Sequence, residues 1–96
     1  MTGRNIGYAR TATEGQEIDL QVEALKAAGC TEIFIDNGVS GMTLDRPGLQ
    51  NARDALQSGD TFTVCKMDRI SRSINDLGSF QTELRNNSVQ LVTLVS

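Results

Sequence analysis

Asn5-Ile6-Gly7-Tyr8-Ala9-Arg10 opens residues 5–35; a segment of helical period from Glu17 to Ala28 follows, and Glu32-Ile33-Phe34-Ile35 closes the stretch. A short apolar run, an amphipathic segment and a second apolar run in that order predict a strand, a helix and a parallel strand, because a helical crossover returns the chain in its original direction. Leu20, Ala24, Leu25 and Ala28 recur on one face of the helix, its other face is polar, and Gly29 follows as a C-terminal cap. The alternation continues downstream. A second helix starts at Pro47, carries Leu49, Ala52 and Leu56 on one stripe and stops at Gly59. Strands are predicted over Thr61 to Lys66 and Val89 to Val95, both rich in β-branched residues, around a third helix from Asn75 to Asn86 with Leu77, Phe80 and Leu84 in register. Four strands and three helices joined by right-handed crossovers predict an α/β fold: a doubly wound, mostly parallel four-stranded sheet with helices on both faces.

The chain has 96 residues, 39% hydrophobic and 22% charged, which suits a single domain over residues 1–96. Nine Lys+Arg against 12 Asp+Glu give a net charge of -3, which excludes coating nucleic acid by bulk charge. No apolar run approaches the roughly 18 residues of a membrane span, and Met1 to Tyr8 lacks a signal-peptide layout, so a cytoplasmic protein with no membrane partner is expected. No repeat or low-complexity segment interrupts the pattern. The absence of His removes Ser-His and Cys-His catalytic pairs and the commonest metal ligand. Cys30 and Cys65 are isolated, which supports neither a metal site nor a disulfide, and both are expected as buried thiols. No glycine-rich phosphate loop opens any helix, which argues against a nucleotide-binding protein.

In open parallel sheets, ligands bind outside the carboxyl ends of the strands. That rule selects Arg10 to Gln16, Asp36 to Arg46, Lys66 to Arg72 and whatever follows Ser96. Five of the nine basic residues, Arg10, Arg46, Lys66, Arg69 and Arg72, then converge on one sheet edge as a local anion site. Lys66-Met67-Asp68-Arg69-Ile70-Ser71-Arg72 nets +2, and its guanidinium groups suit bidentate binding of phosphate, although a solvated, charged helix start has the same composition. Asp45-Arg46-Pro47-Gly48-Leu49 reads equally as a helix N-terminus capped by Asp45, which leaves Arg46 unexplained. A phosphatase built on Cys65 fails on spacing: Ser71 stands where its loop needs Arg, with Arg69 and Arg72 out of register.

Tyr8-Ala9-Arg10 with Gln16, Ser40-Gly41, Asp45 to Leu49, Gly59-Asp60 and Lys66-x-Asp68-Arg69-x-x-Arg72, in this order over nearly the whole chain, resemble the serine recombinases of the resolvase/invertase family. The resemblance implies a catalytic domain that breaks and rejoins DNA at specific sites through a phosphoserine link, without a metal or other cofactor, in DNA resolution, inversion or transposition. It implies that Arg10, Arg46, Arg69 and Arg72 hold the scissile phosphate and that Asp68 orients the arginines or assists proton transfer. Gln16, Asp36, Ser40 and Lys66 match polar positions near the phosphate, and Ser40 reads equally as a turn residue beside Gly41.

The sequence departs from that pattern in two places. Where the family has Tyr-x-Arg-x-Ser, this chain has Tyr8-Ala9-Arg10-Thr11-Ala12, so the nucleophile position is Ala12. Thr11 and Thr13 carry hydroxyls, but on a continuing strand they point away from the face of residue 12. The chain is therefore expected to be inactive in strand cleavage, the alternative being a degenerate domain that binds DNA or a partner. Secondly, the long dimerisation helix and helix-turn-helix DNA-binding domain that the family carries are expected outside these residues. Family members assemble as dimers and tetramers; this chain alone is expected to be mainly monomeric, with weak, non-specific and salt-sensitive DNA affinity.

Overall fold

In the computed structural model, which describes residues 3–11, 17–37, 46–71 and 73–94, the first strand lies inside the sheet and the second at its edge. Strand β1 (Asn5–Thr11) pairs in parallel with β2 (Glu32–Asn37) on one side and with β3 (Thr61–Val64) on the other. Strand β4 (Gln90–Thr93) adds to β3, again in parallel, giving the order β2-β1-β3-β4. Helices α1 (Glu17–Ala27), α2 (Pro47–Ala55) and α3 (Ile74–Asn86) make the three crossovers. The first crossover moves outward to β2, whereas the next two move the opposite way across β1 and beyond β3. Right-handed connections of opposite direction place their helices on opposite faces, α1 on one and α2 with α3 on the other.

The core fills the α2 and α3 side. Ile6, Tyr8, Phe62 and Val64 of the sheet meet Leu49 and Ala52 of α2 and Phe80 and Leu84 of α3. The Phe62 ring stacks on Tyr8 at 6.2 Å between centroids and meets Phe80 edge-on at 5.5 Å. On the other face β1 carries small residues, because there the chain after α1 comes close: a Cβ on Gly7 would lie 2.9 Å from Cys30 Sγ. At the opposite end of the strands, the buried Asp60 carboxylate accepts the main-chain N–H groups of Arg4 and Gln57, each at 2.8 Å, and so fastens the start of β1 to the turn before β3.

Three expectations are corrected. Helix α1 does not bury the Leu20, Ala24, Leu25, Ala28 stripe: Leu20 is 67% exposed, both alanines are exposed, and Gln21 and Leu25 face the sheet. The reason is a gap in the ladder. Strand β3 ends at Val64, opposite Tyr8, where Thr61 to Lys66 was expected, so Arg10 in β1 has no β3 residue beside it. The Gln21 amide fills that place, accepting from Arg10 N at 3.1 Å and donating to Arg10 O at 3.0 Å, and the helix is rotated accordingly. Cys30 and Cys65, expected to be buried, are only partly so, since each sits just outside a regular element.

Candidate functional site

Between β1 and β3 the chain's direction across the sheet reverses, and a crevice opens beyond the carboxyl ends of strands at such a point. Arg10 stands near the end of β1, and Arg69 closes the single 3-10 turn Met67–Arg69 that follows β3. Arg46 immediately precedes α2. The three meet at one peptide. The Arg69 carbonyl accepts from Arg10 Nε at 3.0 Å and from Arg46 Nη1 at 3.2 Å, and the Asp68 carbonyl accepts from Arg10 Nη2 at 2.8 Å. Arg69 Nη1 in turn donates to the Arg10 carbonyl at 3.3 Å. The negative ends of these carbonyl dipoles offset part of the repulsion between cations held so close.

Arg10 and Arg46 are each 1% exposed. Burial lowers the Arg46 pKa, and the Arg10 charge lowers it further while Tyr8 and Asp36 oppose, yet a guanidinium remains protonated at neutral pH. Its carbon lies 5.6 Å from the Tyr8 ring centroid, over the ring. Arg46 Nε and Nη2 are buried and have no hydrogen-bond partner among the described residues. A desolvated cation with unused donors is an unfavourable arrangement that an arriving anion relieves.

Asp36 fixes the start of the helix that Arg46 precedes. Its carboxylate accepts the Tyr8 hydroxyl at 2.7 Å, Gly48 N at 2.7 Å and Leu49 N at 2.9 Å, so a strand residue caps helix α2. Arg46, the residue at the cap position, makes no side-chain cap bond. A Cβ on Gly48 would lie 2.6 Å from Ile35 O and 2.8 Å from Asp36 Oδ1, so glycine is what lets the helix reach the strand. Burial, together with the bond to Asp36, raises the Tyr8 pKa far above its ordinary value and keeps the hydroxyl a donor. With three donors inside the fold, the Asp36 carboxylate anchors the arginine site and turns no free oxygen to an anion.

The other expected site residues fall as follows. Asp68 Oδ1 lies 3.6 Å from Arg69 Nε, an ion-pair distance longer than a hydrogen bond. Lys66 is exposed and borders, with Leu20, Gln21, Cys65 and Arg69, a hollow of about 220 Å³. Burial raises the Cys65 pKa against the opposing pull of Arg69, which disfavours a thiolate. Thr11 donates its hydroxyl to Asn37 Oδ1 at 2.6 Å. Ala12, Gln16, Ser40, Asp45 and Arg72 lie outside the described residues. Sequence reasoning missed Gln21 and the Tyr8 hydroxyl; a polar residue amid apolar neighbours on α1 was the available sign of the first.

The family model described as Resolvase, N terminal domain, matches residues 5–96. The chain belongs to the resolvase family. This resolvase domain is 47% identical over 89 residues to the serine recombinase gin of Escherichia phage Mu, covering 93% of the chain and 46% of that protein. It is 42% identical over 89 residues to the DNA-invertase hin of Salmonella typhimurium, again covering 93% of the chain and 46% of the relative. The chain thus spans just under half the length of these relatives. The solved N-terminal catalytic domain of TP901-1 integrase superposes with a TM-score of 0.79 at 28% identity, over 95% of this chain and 77% of that one. The four-stranded parallel sheet with three helices is the fold of serine recombinase catalytic domains.

Proposed function

We propose that this resolvase domain is the phosphate-binding catalytic core of a site-specific DNA recombinase that, with Ala12 in place of the serine, does not cleave. The observation that carries the reading is the meeting of Arg10, Arg46 and Arg69 at one peptide, with two buried Arg46 nitrogens, Nε and Nη2, lacking a hydrogen-bond partner among the described residues. In the reaction of the family, a serine oxygen attacks phosphorus in line as the bond from phosphorus to the departing deoxyribose oxygen breaks. Negative charge grows on the two remaining phosphoryl oxygens, and fixed guanidinium groups stabilise it. Arg10, Arg46, Arg69 and Arg72 supply those cations, while Asp68 orients Arg69. Lys66 and the polar side chains of Gln16 and Ser40 contact the phosphate or its neighbours. A methyl group at position 12 forms no bond to phosphorus, and Thr11 is engaged with Asn37. Loss of a nucleophile costs orders of magnitude in rate.

Dimerisation and sequence reading belong, in this proposal, to the half of the relatives' length that the chain does not match, and the domain alone is mainly monomeric and binds DNA weakly in a cytoplasmic setting. The test uses the full-length protein containing this domain, with Ala12 or with Ala12→Ser, incubated with supercoiled target DNA. Covalent protein–DNA adducts are expected from Ala12→Ser alone, and equal adducts from both would overturn the inactivity. A non-catalytic binding module is the second reading, for Ala12 is what it also requires. Retained DNA binding after Arg69 and Arg72 are both replaced by Ala, with no adducts from Ala12→Ser, favours it.

A further inference from the structure

Three of the four expected phosphate-binding arginines, Arg10, Arg46 and Arg69, lie among the described residues, and their role leaves open what aims them. We propose that Ile70 is a positioning residue, acting on Arg10 and Arg46 through the main chain of the Met67–Arg69 turn. This rests on the phosphate site proposed above. Ile70 is fully buried within the cluster of Ile6, Tyr8, Leu49, Phe62 and Val64, and Met67 packs against the same cluster. Its N–H donates to Met67 O at 3.0 Å, while Arg69 N donates to Lys66 O at 3.1 Å and Ser71 N to Met67 O at 3.3 Å. The turn is therefore one internally bonded piece, and its buried Ile70 foot fixes where the Asp68 and Arg69 carbonyls stand.

Those carbonyls hold three of the guanidinium donors: Arg10 Nε, Arg10 Nη2 and Arg46 Nη1. A guanidinium is a rigid planar fork, so fixing one edge directs the remaining N–H groups. With Nη1 of Arg46 tied to Arg69 O, its Nε and Nη2 are the donors left for phosphate. Shortening Ile70 lets the turn settle, moves both carbonyls together and misaims two arginines that Ile70 itself does not contact through any hydrogen bond. Preorganised donors lose most of their value when displaced by fractions of an ångström.

The test is nitrogen-15 NMR of the arginine Nε–H groups in the 96-residue chain, titrated with inorganic phosphate, for the unaltered chain, Ile70→Ala, the milder Ile70→Val and Ile70→Leu. Leu84→Ala is the control, a truncation of another buried core residue at the far end of α3. In the unaltered chain the Arg10 Nε–H is expected to exchange slowly with solvent, and phosphate to shift the Arg46 Nε–H. Ile70→Ala should speed the Arg10 exchange and weaken phosphate binding by about tenfold, the effect of degrading one charged hydrogen bond. Ile70→Val should show the same change in smaller measure, Ile70→Leu should restore both signals, and Leu84→Ala should keep both while losing thermal stability. Identical behaviour of Ile70→Ala and Leu84→Ala, or slow Arg10 exchange kept in both truncations of Ile70, overturns the assignment. If Arg46→Ala leaves phosphate binding unchanged, the phosphate site itself fails, whereas the Arg10 exchange rates still decide the positioning by Ile70.

Discussion

Arg10 and Arg69 hold each other through their main chains: Arg10 Nε–H donates to the Arg69 carbonyl at 3.0 Å, and Arg69 Nη1 returns a bond to the Arg10 carbonyl at 3.3 Å. The pair closes the gap between the end of β1 and the turn after β3, the place where the ladder stops. In the proposed function the two side chains that would meet an anion are thus also the struts of the crevice.

Arg46 shows the conflict between stability and site most clearly, since two of its buried nitrogens have no hydrogen-bond partner among the described residues. Replacing it with the apolar Arg46→Met removes a buried charge and should stabilise the domain by about 1–2 kcal/mol, within the range seen when buried charges are replaced. The same change should abolish phosphate binding. Chemical denaturation and a phosphate titration on the same sample check both halves, and a destabilised Arg46→Met with binding intact contradicts them.

Tyr8→Phe deletes the hydroxyl that donates to Asp36 at 2.7 Å and should cost about 1–2 kcal/mol, the value of one buried hydrogen bond to a charged group. Asp36→Ala should cost more, about 3 kcal/mol, because it leaves Gly48 N and Leu49 N without their cap as well. Equilibrium unfolding of the two variants measures the order, and a larger loss for Tyr8→Phe than for Asp36→Ala goes against it.

Burial alone would raise the Asp60 pKa, but the main-chain N–H groups of Gln57 and Arg4 and the Arg4 charge outweigh it, and the pKa is lowered. A carboxylate lowered on folding stabilises above its unfolded pKa of about 3.9, and that contribution is lost as pH falls through the folded value. The difference in melting temperature between the parent and Asp60→Asn should therefore be full near about pH 7 and shrink toward about pH 3. A constant difference across that range would show that the ionised form is not what matters.

On helix α1, Leu20→Ser should change stability by no more than about 0.5 kcal/mol, as expected of an exposed position. Gln21→Leu, although it adds apolar surface, should cost about 2 kcal/mol, because Arg10 N loses a partner and Arg10 O loses one of its donors. Thermal melts of the two variants suffice, and the reverse ranking would restore the apolar stripe read from the sequence.

The order of elements, the stripes of α2 and α3 and the meeting of Arg10, Arg46 and Arg69 were legible from period and spacing, since each depends on residues near in sequence or on a general rule of parallel sheets. The face of α1 was not. Its rotation follows from β3 ending two residues early, a fact of pairing between distant segments that no local period records. Asp36 was legible as a polar residue at a strand end but not as the cap of α2, because that bond crosses from the second strand to a helix eleven residues on and needs Gly48 to bring them together. Arg46 was legible as one of the basic residues at the sheet edge, but its buried donors without partners among the described residues are a property of the assembled fold.

The Asp36 carboxylate at the head of α2 has a consequence for what the crevice admits. A helix start commonly welcomes an outside anion with its own main-chain N–H groups, which demands a ligand slim enough to touch the backbone. Here that berth is taken from within, and α3 is likewise closed at its start by Ser73. In the proposed function, recognition of an anion at this edge would fall to long side chains standing off the backbone, a geometry that suits a phosphate embedded in a bulky polymer better than a small free one.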